Sequence, residues 1–184
     1  RFVNLLPQLP NPMLSLNLTS VFLRLLGVLL VGTRPAQRPP ADLKVPDGYA
    51  VEVAAGPDLV DYPMFATADE TGRLFVFEST GHVYKKTKDA LDKPQFRIKL
   101  LTDTDGDGRY DRSTVFADKV GFPQGGVFYR GSLYASSAPD LLKLTDTDND
   151  GVADQREVLL SGWTLNVNAN SLVGPFWGPD GWLY

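Results

Sequence analysis

The sequence contains no cysteine. Disulfide frameworks, thiolate metal sites and cysteine nucleophiles are therefore excluded. It has a single histidine, His82, and a lone histidine just after an apolar strand reads as a surface or rim residue before it reads as a base. Acidic residues are missing from residues 1–40, which carry four arginines instead. No long stretch keeps a 3.6-residue apolar period, so an architecture built on amphipathic helices is excluded. The DALDK stretch at Asp89–Lys93 has room for one helical turn.

What is present points to β-structure. The chain has 184 residues, 43% of them hydrophobic, with 17 glycines and 14 prolines. That is one domain, or one piece of a larger one, rich in turns. Its net charge is −4, but fourteen basic residues face twenty-two acids once the first forty residues are set aside, a net of −8. Nine of those acids fall in two short stretches, Asp103–Asp111 and Asp146–Glu157. Such concentration argues against nucleic acid as a partner and for cations.

The first forty residues read as something other than a folded core. Residues 14–32 are LSLNLTSVFLRLLGVLLVG, most apolar from Val21 to Val31 and interrupted by Arg24. A membrane-spanning helix wants about 20 apolar residues, whereas a signal-peptide core needs about 7–15. Residues 1–32 are accordingly read as leader and signal peptide, with Met13 a candidate start. An uncleaved anchor tethering the chain to a membrane through residues 14–32 stays open beside that reading. Prolines 35, 39, 40 and 46 make residues 33–46 an extended linker.

From residue 47 onward, short apolar or alternating runs are separated by Asp-Gly, Gly-Pro and Pro-Asp. Tyr49–Ala54, Leu74–Phe77, Phe96–Leu101 and Leu133–Ala135 are strand candidates. The runs repeat. Tyr62-Pro63 is followed by Gly72-Arg73-Leu74-Phe75, and Phe122-Pro123 by Gly131-Ser132-Leu133-Tyr134; Gly181-Trp182-Leu183-Tyr184 supplies the second half a third time. Leu101–Gly108 (LTDTDGDG) recurs 43 residues later as Leu144–Gly151 (LTDTDNDG). Such periods mark the blades of a β-propeller. The fold expected for residues 47–184 is all-β: an incomplete propeller of two to three blades.

The aspartate stretches have the chemistry of calcium loops. Asp103, Asp105, Asp107, Gly108 and Asp111 follow D-x-D-x-D-G-x-x-D, and Asp146, Asp148, Asp150, Gly151 and Asp154 repeat it, with Glu157 at position 12. Calcium takes 6–8 oxygens at about 2.3–2.6 Å, and acids at alternate positions wrap one ion when a glycine lets the chain turn sharply. Arg109 and Val152 stand at position 7, where a backbone carbonyl ligates. Thr114 takes position 12 of the first loop, which removes a bidentate ligand. Flanking segments such as Leu141–Thr145 and Val158–Leu160 have strand length, so the loops are expected to join strands and to act structurally.

Three segments carry a family resemblance: GYAVEVAAGPDLVDYPMFATADETGRLFVFES, LLTDTDGDGRYDRSTVFADKVGFPQG and APDLLKLTDTDNDGVADQREVLLSGW, with WGPDGWLY at the end. Together they resemble the opening part of exported bacterial proteins of the membrane-bound dehydrogenase family, over about Val45–Tyr184. That family is related to the soluble quinoprotein glucose and sorbosone dehydrogenases. The resemblance implies a six-bladed propeller in a periplasmic or extracellular protein. It further implies an axial site for pyrroloquinoline quinone (PQQ), where a sugar or alcohol loses hydride to the quinone. Relatives carry histidines shortly before the WGPDGWLY-like segment. Here that stretch is Leu165-Asn166-Val167-Asn168-Ala169-Asn170-Ser171, and asparagine does not serve as a base at neutral pH. The sequence names no catalytic residue. A calcium-stabilised propeller that binds carbohydrate or protein without catalysis is the competing expectation. Arg73, Glu78 and His82 are read as rim residues.

Overall fold

The computed structural model describes residues 2–7, 43–167 and 172–184. The apolar run Val21–Val31, the start at Met13, most of the proline linker and Asn168–Ser171 lie outside the described residues. Among those described, no helix is long and apolar enough to cross a membrane.

The chain divides into two compact units, Val3–Val53 and Ala54–Tyr184 (the latter with the first two residues). β1 (Phe2–Pro7) pairs with β2 (Tyr49–Ala55); most of both strands falls in the smaller unit, while Phe2, Ala54 and Ala55 belong to the larger. The expected strand at Tyr49–Ala54 is therefore present. Phe2–Pro7, read from the sequence as leader, is a strand, in keeping with the β-forming Phe2 and Val3.

The larger unit holds two four-stranded antiparallel meanders. The first runs β3 (Pro63–Ala68), β4 (Leu74–Glu78), β5 (Phe96–Thr102), β6 (Arg112–Val120). The second runs β7 (Gly126–Tyr129), β8 (Ser132–Ser137), β9 (Asp140–Thr145), β10 (Gln155–Ser161). Helix α1 (Thr87–Asp92) is a short insertion between β4 and β5, where the sequence left room for a single turn. The two sheets do not close on themselves.

Alternation along β4 explains the layering. Phe75 and Phe77 face the second sheet, joining Ile98, Leu100, Phe116, Leu133, Ala135, Leu142 and Leu144 in one buried cluster. Val76 points the other way, onto Ala55, Leu59, Val60 and Leu101. The first sheet is thus covered on both faces, which is why β4 reads as a continuous apolar run. Phe75 anchors the inter-sheet core: its ring meets Phe116 edge-on at 4.8 Å and stacks on Phe128 at 5.2 Å. Gly126 opens β7 directly over this core. A Cβ there would lie 2.6 Å from the Phe77 ring and 2.9 Å from the Tyr134 carbonyl oxygen, so the close approach of the sheets requires glycine at this position.

Glu78 ends β4 with no exposed surface. Its carboxylate accepts from Arg97 Nε at 2.7 Å and from the Asp61 backbone N–H at 2.5 Å, with Lys99 Nζ 3.5 Å away. Burial of this residue departs from the rim position read from the sequence, and the two cations of β5 compensate its charge. Removing one partner of a buried pair strands the other. Arg97→Ala is expected to cost about 2 kcal/mol, allowing for the partial exposure of Arg97. Urea unfolding checks this, and an unchanged midpoint would contradict the role given to the pair.

The remaining residues complete a third hairpin. Trp177 bridges to Leu183, and Phe176 and Tyr184 exchange backbone hydrogen bonds at 2.9 Å. Trp177 packs on Tyr129 and Tyr134, with ring centroids 4.3 and 5.8 Å away. The three Gly-x-Leu-aromatic segments therefore fall on three hairpins: β3–β4, β7–β8 and Trp177–Leu183.

Candidate metal centre

Both aspartate loops occupy the same place in their sheets. The first, Asp103–Asp111, joins the third and fourth strands of sheet one (β5 to β6); the second, Asp146–Asp154, joins the third and fourth strands of sheet two (β9 to β10). The sequence expectation of loops between strands rather than between helices agrees with this placement.

Side chains shape each loop from within. In the first, Asp103 accepts the backbone N–H of Gly106 through Oδ1 and that of Gly108 through Oδ2, each at 2.8 Å. Asp105 accepts from Asp107 N–H at 3.2 Å, and Asp107 from Arg109 N–H at 2.9 Å. Asp111 reaches back to Thr104, accepting from its N–H at 3.1 Å and its hydroxyl at 2.7 Å. The second loop repeats the scheme. Asp146 Oδ2 accepts from Gly151 N–H at 2.9 Å, Asp148 from Asp150 N–H at 3.3 Å, and Asp150 from Val152 N–H at 2.8 Å. Asp154 accepts from Thr147 N–H at 3.0 Å and its hydroxyl at 2.6 Å. These Asx-type bonds explain why aspartate recurs at every second position. Gly106 and Gly108 take φ of +76° and +88°, and Gly151 takes +91°, a region that glycine enters without strain.

The folding of each loop gathers charge. Carboxylate oxygens of Asp103, Asp105 and Asp107 lie within 4.8 Å of one another, as do those of Asp146, Asp148 and Asp154. At such separations each like-charged pair repels by about 1–4 kcal/mol near a surface. The backbone N–H of Gly108, followed by that of Gly106, holds the Asp103 carboxyl below the usual carboxylate range against partial desolvation. Burial raises the neighbouring Tyr110 phenol, and the charges of Asp69 and Asp103 push it further.

The remaining residues expected to ligate are placed less uniformly. Asp111 and Asp150 belong to their loops but fall outside the gathered triads. Arg109 and Val152 occupy position 7, each donating its N–H to the preceding aspartate. Glu157 lies on β10 opposite Lys143, its carboxylate 3.7 Å from that ammonium, and is not gathered with the triad. Thr114 sits on β6 beside Gly151, a contact that pairing by sequence spacing did not suggest.

The donor set fits a hard cation. Every gathered side-chain atom is a carboxylate oxygen, the ligand type calcium prefers. One atom in the second loop adds to this: Asp146 Oδ1 is buried and has no hydrogen-bond partner. A buried carboxylate oxygen without a donor is costly, and a bound cation would satisfy it.

The other candidates carry less chemistry. His82 packs edge-on against Tyr84 at 4.6 Å, and Arg73 is paired with Asp69 at 2.6 Å. A groove of about 300 Å³ lies between β9, β10 and the third hairpin, lined by Leu141, Leu160, Trp163, Leu172, Val173 and Tyr184 among others. It offers no carboxylate, imidazole or amine for acid–base work.

Fold and loops together define an all-β protein of successive four-stranded meanders, each carrying an aspartate loop between its third and fourth strands. The chain belongs to the family described as domain of unknown function DUF7133, whose model matches residues 37–184. Comparison with curated proteins returned no match, and neither did comparison with solved structures.

Proposed function

We propose that the two sheets are blades of an exported, calcium-binding β-propeller of the quinoprotein sugar or alcohol dehydrogenase type, and that both aspartate loops hold calcium structurally. The observation that carries this reading is the positional equivalence of the loops. The same Asp, Thr and Gly residues recur 43 residues apart on the same connection of two successive sheets, and each loop draws three carboxylates together. Repetition of a costly charge cluster in register with the fold favours a shared ligand over a solvated turn. Calcium at these loops would supply charge neutralisation and a fixed loop geometry. The chain's own contribution is to orient Asp103, Asp105 and Asp107 in one loop, and Asp146, Asp148 and Asp154 in the other, through the backbone N–H bonds described above.

Equilibrium dialysis with calcium is expected to find two ions per chain, one lost in Asp105→Asn and the other in Asp148→Asn. Absence of bound calcium in the wild-type protein would sink the reading.

The quinone-dependent activity rests on the resemblance of the four quoted segments. PQQ would supply the hydride acceptor. Asn166, standing in the stretch where relatives carry histidines, favours a second reading, a non-catalytic propeller that binds carbohydrate or protein. Dye reduction with PQQ, calcium and a panel of aldoses and alcohols separates the two. Turnover supports the dehydrogenase, and calcium binding without turnover supports the binding module.

A further inference from the structure

We infer that the second aspartate loop couples cation occupancy to the docking of the two sheets, whereas the first loop braces its own sheet and the Leu59–Val60 segment packed on that sheet's other face. The inference rests on the calcium reading above and adds a division of labour between two loops of near-identical sequence.

The difference lies in what each loop touches. In the second, the residues around Asp154 reach across to sheet one. Ala153 N–H donates to the Phe116 carbonyl of β6 at 2.8 Å, and the Ala153 side chain packs against the inter-sheet core. Gly151 lies against Leu100 and Thr114, close enough that a Cβ would meet both at 3.7 Å. Arg156 completes the strap, donating through its two terminal nitrogens to the Asp118 and Lys119 carbonyls of β6, each at 3.1 Å. Three residues in a span of six, Gly151, Ala153 and Arg156, therefore bind the neighbouring sheet, and Asp154, a member of the carboxylate triad, stands among them.

The equivalent residues of the first loop, 43 positions earlier, turn elsewhere. Gly108 has open space where Gly151 has Leu100 and Thr114. Tyr110, in the place of Ala153, donates its hydroxyl to the Gly72 carbonyl of the β3–β4 turn at 2.9 Å. Its ring packs with the cluster of Leu59, Val60, Val76 and Leu101. Asp111 N–H closes its own hairpin on the Thr102 carbonyl.

Mechanical consequences follow from the charges. Without a cation, Asp154 is repelled by Asp146 and Asp148 and relieves the repulsion by moving outward. Ala153 and Arg156 flank it by one and two residues, so this movement loosens the strap on β6. Asp146 Oδ1, buried without a partner, adds to the tendency of the cation-free loop to open. In the first loop, relaxation of Asp103, Asp105 and Asp107 disturbs the β5–β6 hairpin and the β3–β4 turn and leaves the sheet–sheet contact intact. Local opening of this kind is read by amide exchange.

The test is hydrogen exchange by mass spectrometry on the whole chain, with calcium and with chelator, for wild type, Asp148→Asn and Asp105→Asn. Both aspartates are exposed, so the variants are expected to fold. Chelation, and Asp148→Asn in calcium, should each raise exchange at Ala153 and along Phe116–Val120 by roughly tenfold, while Asp105→Asn should raise it only within residues 103–111. Two results overturn the inference with the calcium reading intact: two ions bound but no change at Ala153 on chelation, or equal loosening of β6 in both variants. Wild-type protein that binds no calcium in parallel dialysis would remove the calcium reading itself.

Discussion

Removal of calcium is expected to lower the unfolding free energy by about 5 kcal/mol, measured from free ion at roughly a hundredfold excess over the dissociation constants of both loops. Each independently saturated site contributes about 2.7 kcal/mol under that condition, because the ion binds the folded loop and not the unfolded chain. The loops lie in separate sheets and share no ligand, so near-additivity is expected. Most of the effect should survive added monovalent salt, because screening of exposed charges does not replace inner coordination. Calorimetry with calcium, with chelator, and with chelator plus sodium chloride reads this directly. Coincident unfolding curves in all three would show that the carboxylates are simply solvated. Asp105→Asn and Asp148→Asn should each remove about half of the calcium-dependent stabilisation.

The second large effect concerns the core. Phe75→Ala is expected to cost about 3–5 kcal/mol. Phe75 is fully buried and stands in the centre of the contact between sheets, with Phe116 edge-on and Phe128 stacked. Those rings cannot collapse into the void, because they are fixed on different sheets. Phe65→Ala, at the margin of the same cluster, should cost less. Chemical denaturation of the two variants gives the comparison, and an equal loss would mean that the core is not centred on Phe75. A void between the sheets also weakens the footing of the Ala153–Arg156 strap, so Phe75→Ala should reduce calcium affinity at the second loop more than at the first.

The four strand candidates were legible in the sequence because each is short, apolar and bounded by turn residues. β2, β4, β5 and β8 contain them all. β6 was harder to see. Its sequence, RSTVFADKV, is broken by charges, and its pairing with β5 carries two irregularities in register, so the inward residues do not alternate cleanly. The spacings of the repeats had a hidden relation as well. The hairpin motif recurs after 59–60 residues and the aspartate loop after 43, which look like two separate repeats. The structure makes them one. The β4–β5 connection runs from Ser79 to Gln95 and includes α1, whereas β8 and β9 are joined by Ala138-Pro139 alone. The extra residues of the first sheet account for the difference.

Of the candidate site, the placement of both aspartate loops between strands, their sharp glycine turns and the clustering of three carboxylates in each were readable because loop geometry is local. Glu157 was not, since strand pairing with Lys143 decides where its side chain goes. The burial of Glu78 and the strap from Ala153 and Arg156 to β6 were also invisible. Both depend on partners 17 to 38 residues away, and no local pattern announces them.

The long β4–β5 connection and the aspartate loop after β5 leave sheet one at opposite ends, since successive strands run antiparallel. Variation in length is thereby kept away from the end where coordination geometry must be preserved. Lys85 and Lys86 are exposed just ahead of α1, while Tyr84 and Ala90 on either side are buried. A reporter dye or affinity tag grafted between those two lysines would ride on a segment that already tolerates insertion, leaving the ion-binding loops free to be observed.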